Sequence, residues 1–115
     1  MTDLFKTRAQ LIERALKSIG ALEPGEAPSP EDYDTVDDLI DPLIAQLAED
    51  EVINIQDPDQ IELAVYLPLA RLLANAAGPD FGSPINEDAK MRDENTLRRL
   101  AASEPTGEVL KTVYY

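Results

Sequence analysis

The sequence predicts an all-α protein: a small four-helix domain followed by a C-terminal extended arm or strand. Three observations carry that expectation. Apolar residues recur at spacings of three and four along four separate segments, the period of a half-buried helix. Three of those segments open on a capping residue followed by proline, Ser29-Pro30, Asp57-Pro58 and Ser83-Pro84, which pre-set the first helical turn. The last eight residues instead have the β-branched and aromatic composition of a strand. A chain of 115 residues is the length of one domain. The division read here is a helical domain over 1–104 and an extended docking arm over 105–115.

The first helix is expected from about Thr7 to Ile19. Leu11, Ile12, Ala15, Leu16 and Ile19 fall on one arc, with Glu13, Arg14 and Lys17 opposite. Gly20 is placed to end it in a left-handed cap. Pro and Gly make Glu23–Ser29 a loop.

The second helix starts at Ser29-Pro30. Its apolar stripe is Tyr33, Val36, Ile40, Leu43 and Leu47, widened by Leu39 and Ile44. Asp34, Asp38 and Asp41 share the opposite, acidic face. Pro42 removes a donor and crowds the Asp38 carbonyl, so the helix is expected to bend there while its apolar period continues. Val52–Ile55 reads as a short extended piece.

The third helix is expected to open at Asp57-Pro58, with Gln60 reaching back in a capping box. From Leu63 to Ala77 it is apolar almost all round, with Arg71 its only charge. Such a helix is buried on most sides, so it is expected at the centre of the domain, with a further face available to a neighbouring subunit. Gly78-Pro79 stops it. The fourth helix is expected over about Pro84 to Ala102, capped by Ser83 and largely exposed.

Composition narrows the chemistry. The chain contains no Cys and no His, and its net charge is −13. Disulfides, the usual Cys/His zinc sites, cysteine nucleophiles and imidazole bases are therefore excluded. So acidic a chain is also a poor binder of a phosphate backbone. No phosphate loop, Gly-rich fingerprint or nucleophile elbow is present, and no apolar run reaches the length of a membrane span. No cofactor or metal is expected. The charge is also segregated. Residues 1–22 carry four bases and two acids, 23–62 carry fourteen acids and no base, and 63–115 carry six bases and seven acids. The acidic stretch reads either as a solubilising face or as a surface that repels phosphates or attracts a basic partner.

Three groups of residues are candidates for function. The tail residues Val109, Leu110, Val113, Tyr114 and Tyr115 have the composition to dock by adding a strand to a partner's sheet; within the chain, the only other extended candidate is Val52–Ile55. Arg71, the one charge in an apolar helix, reads as a snorkelling side chain, as a structural ion pair with a buried acid, or as a salt bridge across a subunit boundary. Arg8 and Arg14 are candidates for the same inter-subunit role.

The run Thr7–Gly20, continued by Gly25–Asp32, resembles the opening of head-to-tail adaptor proteins of tailed bacteriophages, the tail accessory or head-completion proteins beneath the portal. Leu72–Pro84, a small-residue helix followed by a Pro-acid-aromatic-Gly turn, is similar to the corresponding part of that family. Asp41-Pro42 and Leu47 depart from its pattern. The resemblance implies a structural virion protein without catalysis, assembled in the host cytoplasm into a ring, commonly of twelve copies. The ring docks on the portal protein, carries a tail or tail-completion protein, and passes double-stranded DNA without sequence-specific contact or any membrane. In that setting Asp34, Asp38 and Asp41 are candidates to line the channel, and the C-terminal arm reaches the portal. Two other classes fit the composition: a small acidic helical regulator that binds a basic protein, and a carboxylate-only cell-wall hydrolase.

Overall fold

The computed structural model describes residues 4–103. The order of elements is β1 (Phe5–Lys6), α1 (Arg8–Ser18), α2 (Pro30–Glu49), β2 (Ile61–Glu62), α3 (Leu63–Ala77), a 3₁₀ turn (Gly78–Phe81) and α4 (Glu87–Ser103). The fold is predominantly α-helical, with four helices and one small two-stranded sheet.

Local chemistry accounts for the ends of α1. Thr7 caps it by accepting from the Gln10 backbone N–H, while the Gln10 side chain accepts from the Thr7 backbone, so two orphan donors are satisfied reciprocally. At its C-terminus Gly20 adopts φ 77°. The Ala21 N–H then donates to the Leu16 carbonyl and the Gly20 N–H to the Lys17 carbonyl. This is a Schellman closure, as the glycine's position leads one to expect.

Ser29 caps α2 by accepting from the Asp32 N–H, with Pro30 in the first turn. The helix carries on through Pro42 to Glu49. It closes with the same hydrogen-bond pattern as α1, from the Val52 N–H to the Leu47 carbonyl and from the Glu51 N–H to the Ala48 carbonyl. Here the left-handed position is taken by Glu51, φ 57°. Leu47 and Val52, which flank the closure, are both in the core, and their burial holds the glutamate in a conformation it disfavours.

α3 is the central helix. Val65, Pro68, Leu69, Ala70, Leu72, Leu73, Ala74 and Ala77 are all buried, and α1, α2 and α4 each pack against it. Leu16, Leu69, Leu73 and Leu97, contributed by three different helices, are entirely excluded from solvent. Full burial of one such side chain stabilises the fold by about 2 kcal/mol.

Three boundaries differ from expectation. α3 begins at Leu63, not at Asp57-Pro58. The Asp57 side chain accepts from the Asp59 N–H and its carbonyl from the Gln60 N–H, so this segment is a closed turn. The next two residues, Ile61 and Glu62, pair antiparallel with Lys6 and Phe5, and a residue committed to a ladder is not free to start a helix. Val52–Ile55 forms no strand; the short sheet is built from Phe5–Lys6 and Ile61–Glu62 instead. α4 begins at Glu87, not Pro84. Its cap is Asn86, whose side chain accepts from the Ala89 N–H. The Asn86 backbone is itself held by Asn75 of α3, with Asn86 N–H donating to Asn75 Oδ1 and Asn75 Nδ2 donating to the Asn86 carbonyl, both at 2.8 Å.

The turn between α3 and α4 requires glycine. A Cβ on Gly78 would stand 2.9 Å from the Ser83 carbonyl oxygen, which is closer than real Cβ atoms approach. The Ser83 N–H donates to the Gly78 carbonyl in the same turn.

Candidate functional site

The structure gives two of the three candidate arginines partners inside their own chain. Arg8, at the first turn of α1, donates from Nε to Asp37 Oδ1, from Nη2 to the Asp37 carbonyl and from Nη1 to Asp41 Oδ1, the last at 3.1 Å. This three-point contact straps α1 to α2. The hydrogen bond to Asp37 raises the Arg8 pKa above its usual value; burial opposes that and Asp41 adds to it. Arg71 donates from Nε to Asp93 Oδ1 at 2.9 Å, and Asp93 is buried. The structural ion pair with a buried acid, one reading of Arg71, is present within the chain. Arg8 and Arg71 are thus each engaged by a carboxylate of their own chain, from α2 and α4 respectively.

Arg14 makes no ion pair among the described residues. It lies on the exposed side of α1 beside a shallow hollow of about 230 Å³, shared with Gln10, Glu13, Lys17, Tyr66 and Leu67. Tyr66 Oη donates to the Gln10 carbonyl at 3.0 Å, and Lys6 Nζ stands 5.5 Å from the centroid of its ring. Burial pushes the Tyr66 phenol above its usual pKa; Arg14 opposes the shift and Glu13 reinforces it.

The acidic face of α2 is split. Asp34 and Asp38 are exposed, one turn apart. Asp41 is also exposed but is engaged by Arg8. The arrangement therefore leaves two carboxylates of the three without an arginine. No group of three or more acidic side chains among the described residues is arranged to hold a metal ion.

Exposed apolar side chains occur on the N-terminal strand and α3, and also at Ile85 and Met91. Leu63 and Leu67 of α3 are each 46% exposed although most of their helix is buried, and Leu4 and Phe5 lie exposed at the N-terminal strand. A groove of about 460 Å³ lies beside that strand, with Phe5, Ile53, Ile55, Ile61 and Val65 among its walls. A second, smaller hollow of about 200 Å³ lies between α3 and the start of α4, bounded by Leu43, Leu72 and Ile85.

Sequence reasoning missed Asp37 and Asp93. Each carried a signal. Asp93 falls in register with Ala89, Leu97 and Leu100, the apolar stripe of α4, and an acid in such a stripe calls for a buried cation partner. Asp37 stands one turn after the half-buried Tyr33 and one turn before Asp41, toward α1. The candidate arm residues Val109, Leu110, Val113, Tyr114 and Tyr115 lie outside the described residues.

No helix among the described residues is long and apolar enough to cross a membrane. No family model, curated protein or solved structure matches the chain.

Proposed function

We propose that the chain is the structural subunit of a head-to-tail adaptor ring that docks beneath a phage portal, extends its DNA channel and offers a platform to the tail. The observation that carries this reading is the leucine pair on α3. Leu63 and Leu67 are half exposed on the helix that contributes most of the core. Covering the open half of each is worth about 1 kcal/mol, too little to hold two copies together alone. A closed ring covers the pair on every copy at once, which makes a weak lateral contact sufficient. The free carboxylates Asp34 and Asp38 fit a lumen that repels phosphates rather than gripping them.

The test is to mix the purified chain with a portal and record mass and electron micrographs with and without it. Rings seated on the portal are the expected result. A chain that stays monomeric beside the portal, and instead captures a basic protein, would select the acidic-regulator reading. Turnover of peptidoglycan that is lost on carboxylate substitution would select the hydrolase.

A further inference from the structure

The segment from Ile53 to Gln56 is an unused edge. Among the described residues its backbone N–H and C=O groups make no hydrogen bond. Exposure alternates along it, with Ile53 and Ile55 half buried and Asn54 and Gln56 exposed, the period of a strand with one face down. Unpaired strand-like backbone is a template for another strand. Beside it lies the groove walled by Phe5, Ile55, Ile61 and Val65, which offers apolar surface for side chains that the backbone bonds would bring in.

What fills this edge can be argued from where the chain goes next. Ala101, in the last turn of α4, shares the wall of a hollow with Val52, Ile53 and Asn54. The described chain therefore ends against the start of the strip. The next residues, Glu104-Pro105-Thr106-Gly107, carry the Pro and Gly of a turn. After them come Glu108-Val109-Leu110-Lys111-Thr112-Val113, the most strand-like composition in the sequence. At about 3.3 Å per residue, this length of chain passes the whole strip and the groove. Lys111 is the one base in that stretch, and the groove is bordered by Asp57.

We propose that the C-terminal segment of the same copy seats along Ile53–Gln56 as an added strand and lays its apolar side chains into the adjoining groove. The inference is independent of the adaptor reading. Under that reading, the groove is where the arm rests until a portal displaces it.

Amide hydrogen exchange on the full-length chain, free of any partner, tests this. Exchange at Ile53–Gln56 is expected to be slowed about tenfold or more relative to an unstructured chain. The slowing should be the same at low and high protein concentration, with the mass of a monomer at the low end. Substituting Val109→Pro together with Val113→Pro removes ladder donors without touching the helical domain, and should restore fast exchange at the strip while the amides of α3 stay protected. Fast exchange in the unsubstituted chain overturns the proposal. So does protection that survives both prolines. Protection that grows with concentration alongside a dimer mass also overturns it, and assigns the edge to the tail of a second copy.

Discussion

Arg71 Nε lies 2.9 Å from Asp93 Oδ1, and the two side chains sit in unequal surroundings: the guanidinium is half in solvent and the carboxylate is 5% exposed. The desolvation cost of the pair therefore falls on the acid. Arg71→Ala strands a buried carboxylate, whereas Asp93→Ala leaves an arginine that water can reach. Arg71→Ala is expected to lower unfolding stability by about 2 kcal/mol, and Asp93→Ala by distinctly less. Urea midpoints of the two variants, with Arg71→Met as a control that keeps the aliphatic stem, decide the order.

Glu51 is the only described non-glycine residue at positive φ. Nothing about its side chain is needed for the closure of α2, which is made by backbone groups. Glu51→Gly should therefore raise stability by up to about 1 kcal/mol through relief of the left-handed strain, and it also removes one charge from the most acidic part of the chain. Thermal unfolding at moderate salt, where the charge effect is screened, checks the backbone part.

Gly78→Ala is expected to act in the opposite direction. Its φ is not positive, so the cost is steric: the added methyl meets the Ser83 carbonyl oxygen, and backbone has little freedom to yield. A loss of about 1–3 kcal/mol is expected, read from denaturant midpoints.

Tyr66 provides a pH dependence. Its phenol titrates higher in the folded chain than in the unfolded one, with burial as the main cause. The stability this gives is fully present below the ordinary tyrosine value near 10 and declines as pH rises through the higher folded value, because the unfolded state releases the proton first. Tyr66→Phe should therefore flatten the loss of stability above pH 10. At neutral pH it loses the hydrogen bond to the Gln10 carbonyl, at a cost of about 1 kcal/mol. Melting temperatures of both proteins between neutral and strongly alkaline pH test the sign.

The proposed ring makes its own demands on α2 and α3. Leu63→Asn with Leu67→Asn should leave the fold intact, since both side chains already meet solvent, and should abolish rings on the portal. Asp34→Asn with Asp38→Asn should leave rings intact and impair DNA retention in assembled particles. Fully infectious particles from the second variant would remove those residues from the channel.

The parts of this fold that were legible are those decided within one or two turns of chain. The Ser29 cap, the Gly20 closure and the all-round apolar run of α3 are local facts, and each holds. The misreadings share a cause. Asp57-Pro58 and Ser83-Pro84 carry the signature of a helix start, yet Ile61–Glu62 is taken by pairing with Phe5–Lys6 and Asn86 is fixed by Asn75. The first competing interaction comes from distant sequence and the second from the preceding helix, and two-residue strands have no periodicity to detect. The acidic face of α2 was equally legible as a pattern, but the diversion of Asp41 to Arg8 depended on how α1 lies against α2.

The placement of α4 has a kinetic side. It buries only Asp93 and Leu97 and packs chiefly on α3, tied there by one ion pair and the Asn75–Asn86 clasp. Native-state opening should accordingly begin with this helix peeling away as a unit, while α1, α2 and α3 stay associated through Leu11, Ile40 and Leu69. Whatever the C-terminal segment engages is thus fastened to the helix that buries the fewest residues, so that a pull on the tail is felt first as the undocking of that helix and only later by the rest.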